Sequence, residues 1–247
     1  MNRFFLTISN FKNDIVYFPP NFAYQILHVL RLGDGDQVEV MNNQGWVFLV
    51  KLRIEADTRQ VTGEVVNSSP SLTEPDTELA LCFGLSSRDK VELILQKGTE
   101  VGVSAFFPFV SSRTLVQSVD LSPNKMARWE SIIREAAEQS HRGKIPELKP
   151  PMAFAACITE TAHTHSLSLL AWEKASTVQE TIRQGIMSDQ WKAIALFIGP
   201  EGGFTYKEIQ LAKDKGCRVV SLGRRILRME TAAIVFPALV LYELEQR

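Results

Sequence analysis

Two glycine-containing loops stand close together in the chain, and each follows an apolar run of strand-like composition. GPEGGF, residues 199–204, follows the run 194–198, and a second loop begins at Gly223 after the run 217–222. Such loops expose backbone N–H and C=O groups at close range, which suits hydrogen bonding to a heterocycle such as adenine. Ligands of open α/β sheets lie just beyond strand ends of this kind, so the two loops predict a ligand site.

The composition of the same loops argues against a site for nucleotide phosphates. Neither loop contains G-x-G-x-x-G, and neither has the Lys-Ser/Thr pair of a phosphate-cradling loop. A plain turn explains Gly-Pro-Glu-Gly-Gly equally well, since glycine and proline mark turns throughout proteins. The basic run RRILR, residues 224–228, follows the second loop and places Arg228 and Glu230 beside it.

Cysteine and histidine residues form no metal-binding pattern. The three cysteines are an odd number and are widely spaced, mostly inside apolar runs: Cys82, Cys157 and Cys217. They are therefore predicted to be buried thiols. His163 and His165 have no Cys or Asp cluster nearby and are predicted to lie in a surface loop. We expect no metal.

The first part of the chain, residues 1–70, is predicted to be rich in strands. It contains one helix-like segment, residues 21–31, and a turn-forming NNQG at residues 42–45. Several short strands with one helix are typical of a small barrel. The strand candidates with the best patterns are residues 37–40, 46–54 and 60–66.

The pattern changes after the polar, proline-containing stretch 67–76, which is the predicted linker. The predicted domains are therefore 1–70 and 71–247. In the second domain strands alternate with helices, which predicts an α/β fold with a parallel sheet covered on both faces.

Helix signals surround the two loops. Thr205 and Glu208 have the spacing of a capping box, which predicts a helix from there to about Lys215, with Gly216 as its stop. Further helices are predicted at residues 91–103, 123–143 and 176–186 and from about Glu230 onward.

Net charge and hydropathy exclude few classes of protein. The 247 residues include 27 Lys and Arg against 28 Asp and Glu, so the formal net charge is −1. Nucleic-acid binding favours positive surface, and any such contact must come from local patches. No apolar run approaches the about 18 residues of a membrane span, and the N-terminus lacks a signal-peptide pattern. A cytoplasmic protein without a membrane partner is expected.

Several ordered motifs resemble the RsmE family of 16S ribosomal RNA (uracil-N3) methyltransferases, of the SPOUT class. The segments that carry this resemblance are GPEGGF, LG followed by RILRMETA (222–232), RDKVELILQKGTEVGV (88–103), EAAEQSHRGKIPEL (135–148), HVLRLGDGD (28–36) and RFF (3–5). Together they extend over essentially the whole chain. The resemblance implies a C-terminal SPOUT trefoil-knot methyltransferase domain of the α/β class, preceded by a small N-terminal PUA-like β-barrel that binds RNA.

The resemblance also implies S-adenosylmethionine as cofactor, held by three loops of the knot. Main-chain groups near Leu222 and Leu227 would pair with the adenine edge, and Gly199 would let the backbone approach closely. The cofactor-binding residues implied are Leu170, Ala171, Glu173, Gly199, Pro200, Glu201, Gly202, Leu222, Gly223, Ile226, Leu227, Thr231 and Ala232. From the residues alone, the leucines are more typical of plain core.

The implied reaction methylates N3 of one uridine in 16S ribosomal RNA. Uracil N3 must lose its proton in this reaction, and the resulting anion must be stabilised. Arg228 is the candidate for stabilising the anion, because a cation aimed at developing charge is the usual device. Glu230 is the nearest carboxylate that could act as base. An ion pair or a helix cap explains either residue equally well, since a carboxylate is favoured at a helix N-terminus.

The implied partners are 16S ribosomal RNA or the 30S subunit, and a second copy of the chain packed on the last helix. The implied RNA-binding residues are Arg3, His28, Arg31, Arg113, Arg134 and Arg142. His28 and Arg31 lie three apart, hence on one helical face, although a solvated helix end explains them equally well. Two rival functions stay open: a knotted methyltransferase acting on another RNA or atom, and a non-catalytic RNA-binding protein with the same fold.

Overall fold

The change of pattern along the sequence corresponds to two structural units. The computed structural model describes residues 1–55, 60–174, 180–186 and 191–246. One unit comprises Met1–Glu74 and Ala137–Ile145, and the other comprises Pro75–Ala136 and Pro146–Arg247. The chain therefore returns to the first unit between two segments of the second. The predicted boundary between residues 70 and 71 stays a prediction.

The first unit is built on a curled, mixed, six-stranded sheet with the order β1-β4-β5-β6-β3-β2. Its strands are β1 (Arg3–Phe5), β2 (Phe11–Lys12), β3 (Ile15–Tyr17), β4 (Gln37–Met41), β5 (Trp46–Ile54) and β6 (Val61–Pro70). Strand β1 runs parallel to β4, and the other neighbours are antiparallel. The predicted NNQG hairpin is confirmed, because Asn43 and Gly45 adopt the positive φ angles of 60° and 83° that tighten the β4–β5 turn.

Two predictions for this unit are wrong. Residues 67–70 belong to β6 and pair with β5 as far as Trp46 and Pro70, so the predicted linker begins too early. The helix α1 (Pro20–Tyr24) continues as a π-helical turn, Gln25–Val29, and ends before Arg31. Arg31 has a φ of 55°, outside the helix, so it does not share a helical face with His28.

The second unit contains an eight-stranded sheet in which all pairs are parallel. Its strands are β7 (Glu78–Gly84), β8 (Ala105–Val110), β9 (Glu147–Leu148), β10 (Met152–Ala153), β11 (Leu167–Ala171), β12 (Glu180–Thr181), β13 (Ala193–Ile198) and β14 (Arg218–Ser221). The order is β10-β8-β7-β13-β11-β14-β12, with β9 beside β8. Strands β7 and β13 are buried along almost their whole length, as expected for a parallel sheet covered on both faces.

Helices connect and cover these strands. They are α2 (Arg88–Val101), α3 (Pro123–Gln139), α4 (Phe154–Thr164), α5 (Ile182–Ile186), α6 (Tyr206–Asp214) and α7 (Met229–Glu245). The capping box of α6 is confirmed, because Thr205 and Glu208 exchange both hydrogen bonds. The predicted helix 176–186 is shorter, since Glu180–Thr181 is a strand and residues 175–179 lie outside the described chain.

Helix α4 was missed by the sequence analysis. It buries Phe154, Cys157, Ile158 and Thr161, which have the spacing of a helical apolar stripe, so the signal was present. His163 lies in this helix rather than in a loop. His165 follows it and is half-buried with its ring edge against Phe107, and burial lowers its pKa.

The predicted burial of the three cysteines is confirmed. Cys82, Cys157 and Cys217 share one core cluster with aromatic residues such as Phe109 and Phe197. Burial raises the pKa of Cys82, with the neighbouring Cys157 thiol adding to the effect, and raises the pKa of Cys217 to about 12. Among the described residues, His, Cys, Asp and Glu side chains nowhere form a group of three that could hold a metal ion. No helix in the described chain is both long and apolar enough to cross a membrane.

One buried ion pair ties the returning segment to the rest of the first unit. Arg142 is 3% exposed, and its guanidinium donates hydrogen bonds of 3.0 and 2.7 Å to the two oxygens of Glu74. The backbone N–H of Gly143 donates to the same carboxylate at 2.8 Å. Burial opposes ionisation of Glu74, but these hydrogen bonds and the Arg142 charge outweigh it and lower its pKa.

We expect Arg142→Ala to lower the free energy of unfolding by about 3 kcal/mol, because it leaves a buried carboxylate without its partner. Glu74 has a folded-state pKa below its unfolded value of about 4.3, so its contribution is present above that value and is lost as the pH falls. Denaturant titrations at pH 7 and pH 4 measure both effects. Arg53→Ala is the control, because Arg53 is half-exposed and its carboxylate partners are 3.8 and 3.9 Å away. Equal stability of both variants at pH 7 would contradict the prediction.

Candidate functional site

Three neighbouring strands end together at one edge of the parallel sheet. Strand β11 lies between β13 and β14, and its last residue, Ala171, pairs with Ile198 on one side and Val220 on the other. Because the strands are parallel, the loops that follow them leave the sheet at the same edge. These loops begin at Trp172, Gly199 and Leu222. The strand order thus brings together both glycine loops that the sequence singled out.

A cavity of about 590 Å³ opens at this edge. It is lined by the three loops, by the start of α7 and by one residue of α2. The lining residues are Lys90, Ala171, Trp172, Glu173, Ile198, Gly199, Pro200, Glu201, Gly202, Gly203, Phe204, Ser221, Leu222, Gly223, Arg224, Arg225, Ile226, Leu227, Arg228, Met229, Glu230 and Ala232.

The cavity collects both predicted catalytic residues, Arg228 and Glu230, and most of the predicted cofactor-binding residues. Leu170 and Thr231 do not line it within the described chain. Leu170 is fully buried in the core of the sheet, as the plain-core interpretation has it, and Thr231 is exposed on α7.

The GPEGG loop is packed tightly against its surroundings. A Cβ added to Gly84, at the end of β7, would lie 2.7 Å from the nitrogen of Pro200. A Cβ on Gly199 would lie 3.1 Å from the ring of Phe204, so the missing side chain makes room for the loop itself. Gly199 also lines the cavity, and the close approach of a ligand expected there stays a prediction.

Arg113 braces the same loop. Its guanidinium donates a hydrogen bond of 2.9 Å to the carbonyl of Gly202. A Cβ on Gly202 would lie 2.9 Å from the Cβ of Arg113, so the two backbones approach closely. Arg113 is among the predicted RNA-binding residues, and one of its N–H groups is bound by this loop.

Charged side chains meet at one end of the cavity. The ammonium group of Lys90 lies 2.8 Å from Glu201 Oε1 and 3.8 Å from Glu230 Oε2. The hydroxyl of Ser86 also donates to Glu201 Oε1. Burial opposes ionisation of Glu201, yet the hydrogen bonds from Lys90 and Ser86 lower its pKa. The hydrogen bond to Glu201 raises the pKa of Lys90.

Glu230 lines the cavity next to Lys90. Its Oε2 is buried and accepts no hydrogen bond from the described residues. Lys90, at 3.8 Å, is a charged neighbour beyond hydrogen-bonding distance. Buried carboxylate oxygens without a hydrogen bond are rare in proteins, which makes Glu230 a candidate functional residue.

Trp172 and Ile226 line the cavity and have different surroundings. The rings of Trp172 and Tyr206 form a T-shaped pair with centroids 5.3 Å apart, and the buried Trp172 Nε1 donates to no acceptor among the described residues. Tyr206 is 68% exposed, with the ammonium of Lys174 above its ring at 5.3 Å. Across the cavity, Ile226 is 84% exposed, a large apolar side chain presented to solvent.

Sequence reasoning missed Lys90 and Trp172. Lys90 lies at the start of α2, in the motif 88–103 that carries the resemblance, and Trp172 follows β11, between the predicted cofactor-binding residues Ala171 and Glu173. Lys90 enters the cavity because β7, which precedes α2, lies beside β13. The order of the strands in the sheet cannot be deduced from a pattern along the sequence. The apolar run before Trp172 was therefore the one sequence signal that pointed to either residue.

The predicted RNA-binding residues are distributed over both units. Arg3 forms an ion pair of 2.8 Å with Glu39, and Arg142 is held by Glu74, so both are engaged within the first unit. Burial lowers the pKa of Arg3, against the opposing charge of Glu39. His28 and Arg31 are exposed on the first unit, and the centroids of the His28 and Tyr24 rings are 4.8 Å apart. In the second unit, Arg113 and Arg134 are exposed.

Most of the chain matches a known family of enzymes. A model described as "RNA methyltransferase domain" matches residues 73–241. Together with a cavity at the carboxyl ends of three adjacent parallel strands, this match defines the chain as an RNA methyltransferase.

Relatives that are similar over most of the chain indicate which kind of RNA methyltransferase this is. The chain is 34% identical to a ribosomal RNA small subunit methyltransferase E of Synechocystis sp., over 86% of this chain and 68% of the relative. It is 30% identical to the Bacillus subtilis protein of the same name, over 99% of this chain and 98% of the relative. The chain belongs to the ribosomal RNA small subunit methyltransferase E family, and the predicted RsmE membership is confirmed.

Solved structures of similar proteins have the same fold as this chain. The crystal structure of a ribosomal RNA small subunit methyltransferase E from Neisseria gonorrhoeae, bound to S-adenosylmethionine, has a TM-score of 0.84 at 28% identity and covers 98% of this chain and 97% of its own. A putative methyltransferase from Legionella pneumophila, in complex with the same cofactor, has a TM-score of 0.82 at 27% identity, over 97% of this chain and 96% of its own. The predicted fold class is confirmed.

We expect Gly84→Ala to destabilise the second unit, because the added methyl group would overlap the backbone of Pro200 and push the GPEGG loop outward. Such overpacking costs roughly 1–3 kcal/mol. Thermal unfolding measures the loss. Gly33→Ala is the control, since its Cβ would meet only Asp36 Oδ2 at 3.8 Å. A Gly84 variant as stable as the Gly33 variant would contradict this account of the loop.

Proposed function

We propose that this protein transfers a methyl group from S-adenosylmethionine to N3 of a uridine in the RNA of the small ribosomal subunit. One observation carries the proposal: Arg228 and Glu230 lie together in the wall of a cavity at the convergence of three strand ends. Membership of the ribosomal RNA small subunit methyltransferase E family supports the substrate class. The cofactor found in the gonococcal relative supports the donor.

The cavity has the size and the chemistry for this cofactor. Its volume of about 590 Å³ falls within the roughly 300–1,000 Å³ typical of small-molecule sites. The main chain from Leu222 to Leu227 and the GPEGG loop supply N–H and C=O groups for a purine edge. The buried Nε1 of Trp172 is a further donor that has no acceptor among the described residues. The cofactor supplies a methyl group on a positively charged sulfur, which is a good leaving group.

The protein's own contribution is orientation and proton handling. Holding the uracil N3 in line with the methyl group is worth a large rate increase, because the encounter becomes effectively unimolecular. The Arg228 cation, at the N-cap of α7, stabilises the negative charge that spreads over the uracil oxygens as the proton leaves. Glu230, two residues further along the chain, is the acceptor for that proton.

Binding of the RNA would use exposed side chains of the first unit. The ring of His28 lies beside that of Tyr24, and His28, Tyr24 and Arg31 are all exposed. Aromatic rings stack on unpaired bases, and basic side chains contact phosphate. The net charge of −1 favours a large, preorganised target such as the assembled 30S subunit over non-specific RNA. Because its relatives are bacterial, we place the protein in the cytoplasm with that target.

We also propose a homodimer formed through α7. The helix is apolar on nearly every face, with Leu239 and Tyr242 left exposed. Ile234, Val235, Leu239 and Leu244 are the residues that a second copy would cover. A helix that is hydrophobic all round is normally buried on all sides.

The product identifies the function. Wild-type protein, incubated with labelled S-adenosylmethionine and small subunits from cells that lack this enzyme, is expected to yield 3-methyluridine after nuclease digestion and mass spectrometry. A methyl group on another atom, or on transfer RNA alone, would favour the knotted methyltransferase of different specificity. Absence of cofactor binding by calorimetry, in a folded protein, would favour the non-catalytic RNA-binding protein.

We expect Arg228→Ala and Glu230→Gln each to lower kcat roughly 10²- to 10³-fold, because each removes a group that acts as the N3 proton leaves. Cofactor affinity measured by calorimetry should change little. Glu245→Gln, at the exposed far end of α7, is the matched control and should keep wild-type turnover. A variant of Arg228 or Glu230 with wild-type kcat would show that the residue is not catalytic.

We expect Arg31→Ala to weaken RNA binding and to reduce the slope of log affinity against log salt by about 1, the loss of one phosphate contact. Binding to small subunits is measured at several salt concentrations. Arg53→Ala is the control, because its guanidinium is placed between Asp34 and Glu64. An unchanged salt slope for the Arg31 variant would exclude a phosphate contact at this position.

A further inference from the structure

The charged end of the cavity contains two carboxylates but one ammonium group among the side chains that meet there. Lys90 comes from α2, Glu201 from the loop after β13, and Glu230 from the first turn of α7. The Lys90 ammonium touches Glu201 at 2.8 Å and stands 3.8 Å from Glu230. The two carboxylates therefore differ in their hydrogen bonds although they share one cation.

Glu201 is unsuited to accept a proton. Its Oε1 already accepts hydrogen bonds from Lys90 and from Ser86. These donors stabilise the ionised form, and the charge of Lys90 adds to them. Lys90 is also unsuited, because an ammonium paired with a carboxylate holds its own proton and has no lone pair to offer.

Glu230 has the opposite arrangement. Its Oε2 is buried, accepts no hydrogen bond from the described residues, and belongs to a side chain that lines the cavity and is 14% exposed. Burial disfavours the charged form of a carboxylate that accepts no hydrogen bonds, and a cation within about 4–6 Å favours the charged form again. Lys90 is that cation, at 3.8 Å.

We propose that Lys90 is a positioning residue for methyl transfer: anchored by Glu201, its ammonium group keeps the Glu230 carboxylate ionised and fixed where it accepts the proton of uracil N3. This inference rests on the proposed function. Other charged groups line the same cavity, namely Glu173, Arg224, Arg225 and Arg228. Of these, Arg228 is close enough to oppose the charge of Lys90.

Methyl transfer to N3 is coupled to the loss of the N3 proton. The N3–H bond breaks and its proton goes to a carboxylate oxygen of Glu230. The electron pair left on N3 forms the new bond to the methyl carbon, and the pair of the broken methyl–sulfur bond stays on sulfur, which becomes a neutral thioether. Glu230 then returns its proton to water after the product leaves.

The test compares Lys90→Met, Lys90→Arg and Glu230→Gln by their pH–rate profiles for methylation of small subunits. Lys90→Met is expected to lower kcat at pH 7 roughly 10- to 100-fold and to move the acid limb upward by about 1 to 2 pH units, since Glu230 then loses its proton less readily. Lys90→Arg keeps the positive charge and should restore most of the rate and the position of the limb. Lys97→Met is the matched control, because it breaks a 2.8 Å ion pair with Glu100 on the same helix, outside the cavity.

A double variant separates action through Glu230 from a purely structural role. Lys90→Met combined with Glu230→Gln is expected to be no slower than Glu230→Gln alone, because residues that act as a unit are not additive. Cofactor affinity and thermal stability are measured for every variant. If Lys90→Met does not fold, Lys90→Gln provides a second neutral substitution that still donates to Glu201.

The outcomes are distinguishable. A wild-type protein that leaves uracil N3 unmethylated overturns the proposed function and this inference with it. A wild-type protein that methylates N3, together with a folded Lys90→Met variant whose acid limb does not move, overturns the inference alone. Additive losses in the double variant also overturn it, because Lys90 would then act independently of Glu230.

Discussion

The parallel alignment of β13, β11 and β14 is the constraint on which the site depends. Three parallel neighbours must release their loops at one edge of the sheet, and a cavity forms where those loops diverge. The loops come from distant parts of the chain, so no short motif contains the whole site. Backbone hydrogen bonds between the strands, rather than any one side chain, keep the lining residues in place.

The electrostatic arrangement follows from the same sheet. Strand β7 lies next to β13, so the helix after β7 begins at the edge of the cavity and brings in Lys90. Gly84 allows this approach, since its backbone lies against Pro200. The position of a single cation is thus set by strand order and by one missing side chain. The result is a pair of carboxylates with different hydrogen bonds, which suits them to different tasks.

Local signals predicted a large share of the structure. The strand Trp46–Ile54 has the predicted bounds, and the Thr205–Glu208 capping box is present. These features depend on neighbours a few residues apart, which a sequence displays directly. The glycine loops and the residues Arg228 and Glu230 were also found, because they lie within one short stretch. Lys90 was missed, because its position depends on which strands are neighbours.

Other misses have the same origin. The π-helical turn that ends before Arg31 and the extension of β6 to Pro70 are decided by packing and by pairing with β5, which override local composition. Each is a contact between residues whose proximity the fold creates, so a pattern read along the chain could not contain it.

The return of residues 137–145 to the first unit has a consequence for how the chain is made. Ala137 completes a small core cluster with Phe5 and Met41, and Arg142 neutralises Glu74. A nascent chain released only to residue 74 lacks both, although all the strands of that sheet have already been synthesised. Domains usually fold as units during translation, N-terminal first. In this protein, roughly another 70 residues must be synthesised after Glu74 before Arg142 is available to pair with it. Folding of the amino-terminal sheet is therefore coupled in time to that of the catalytic unit.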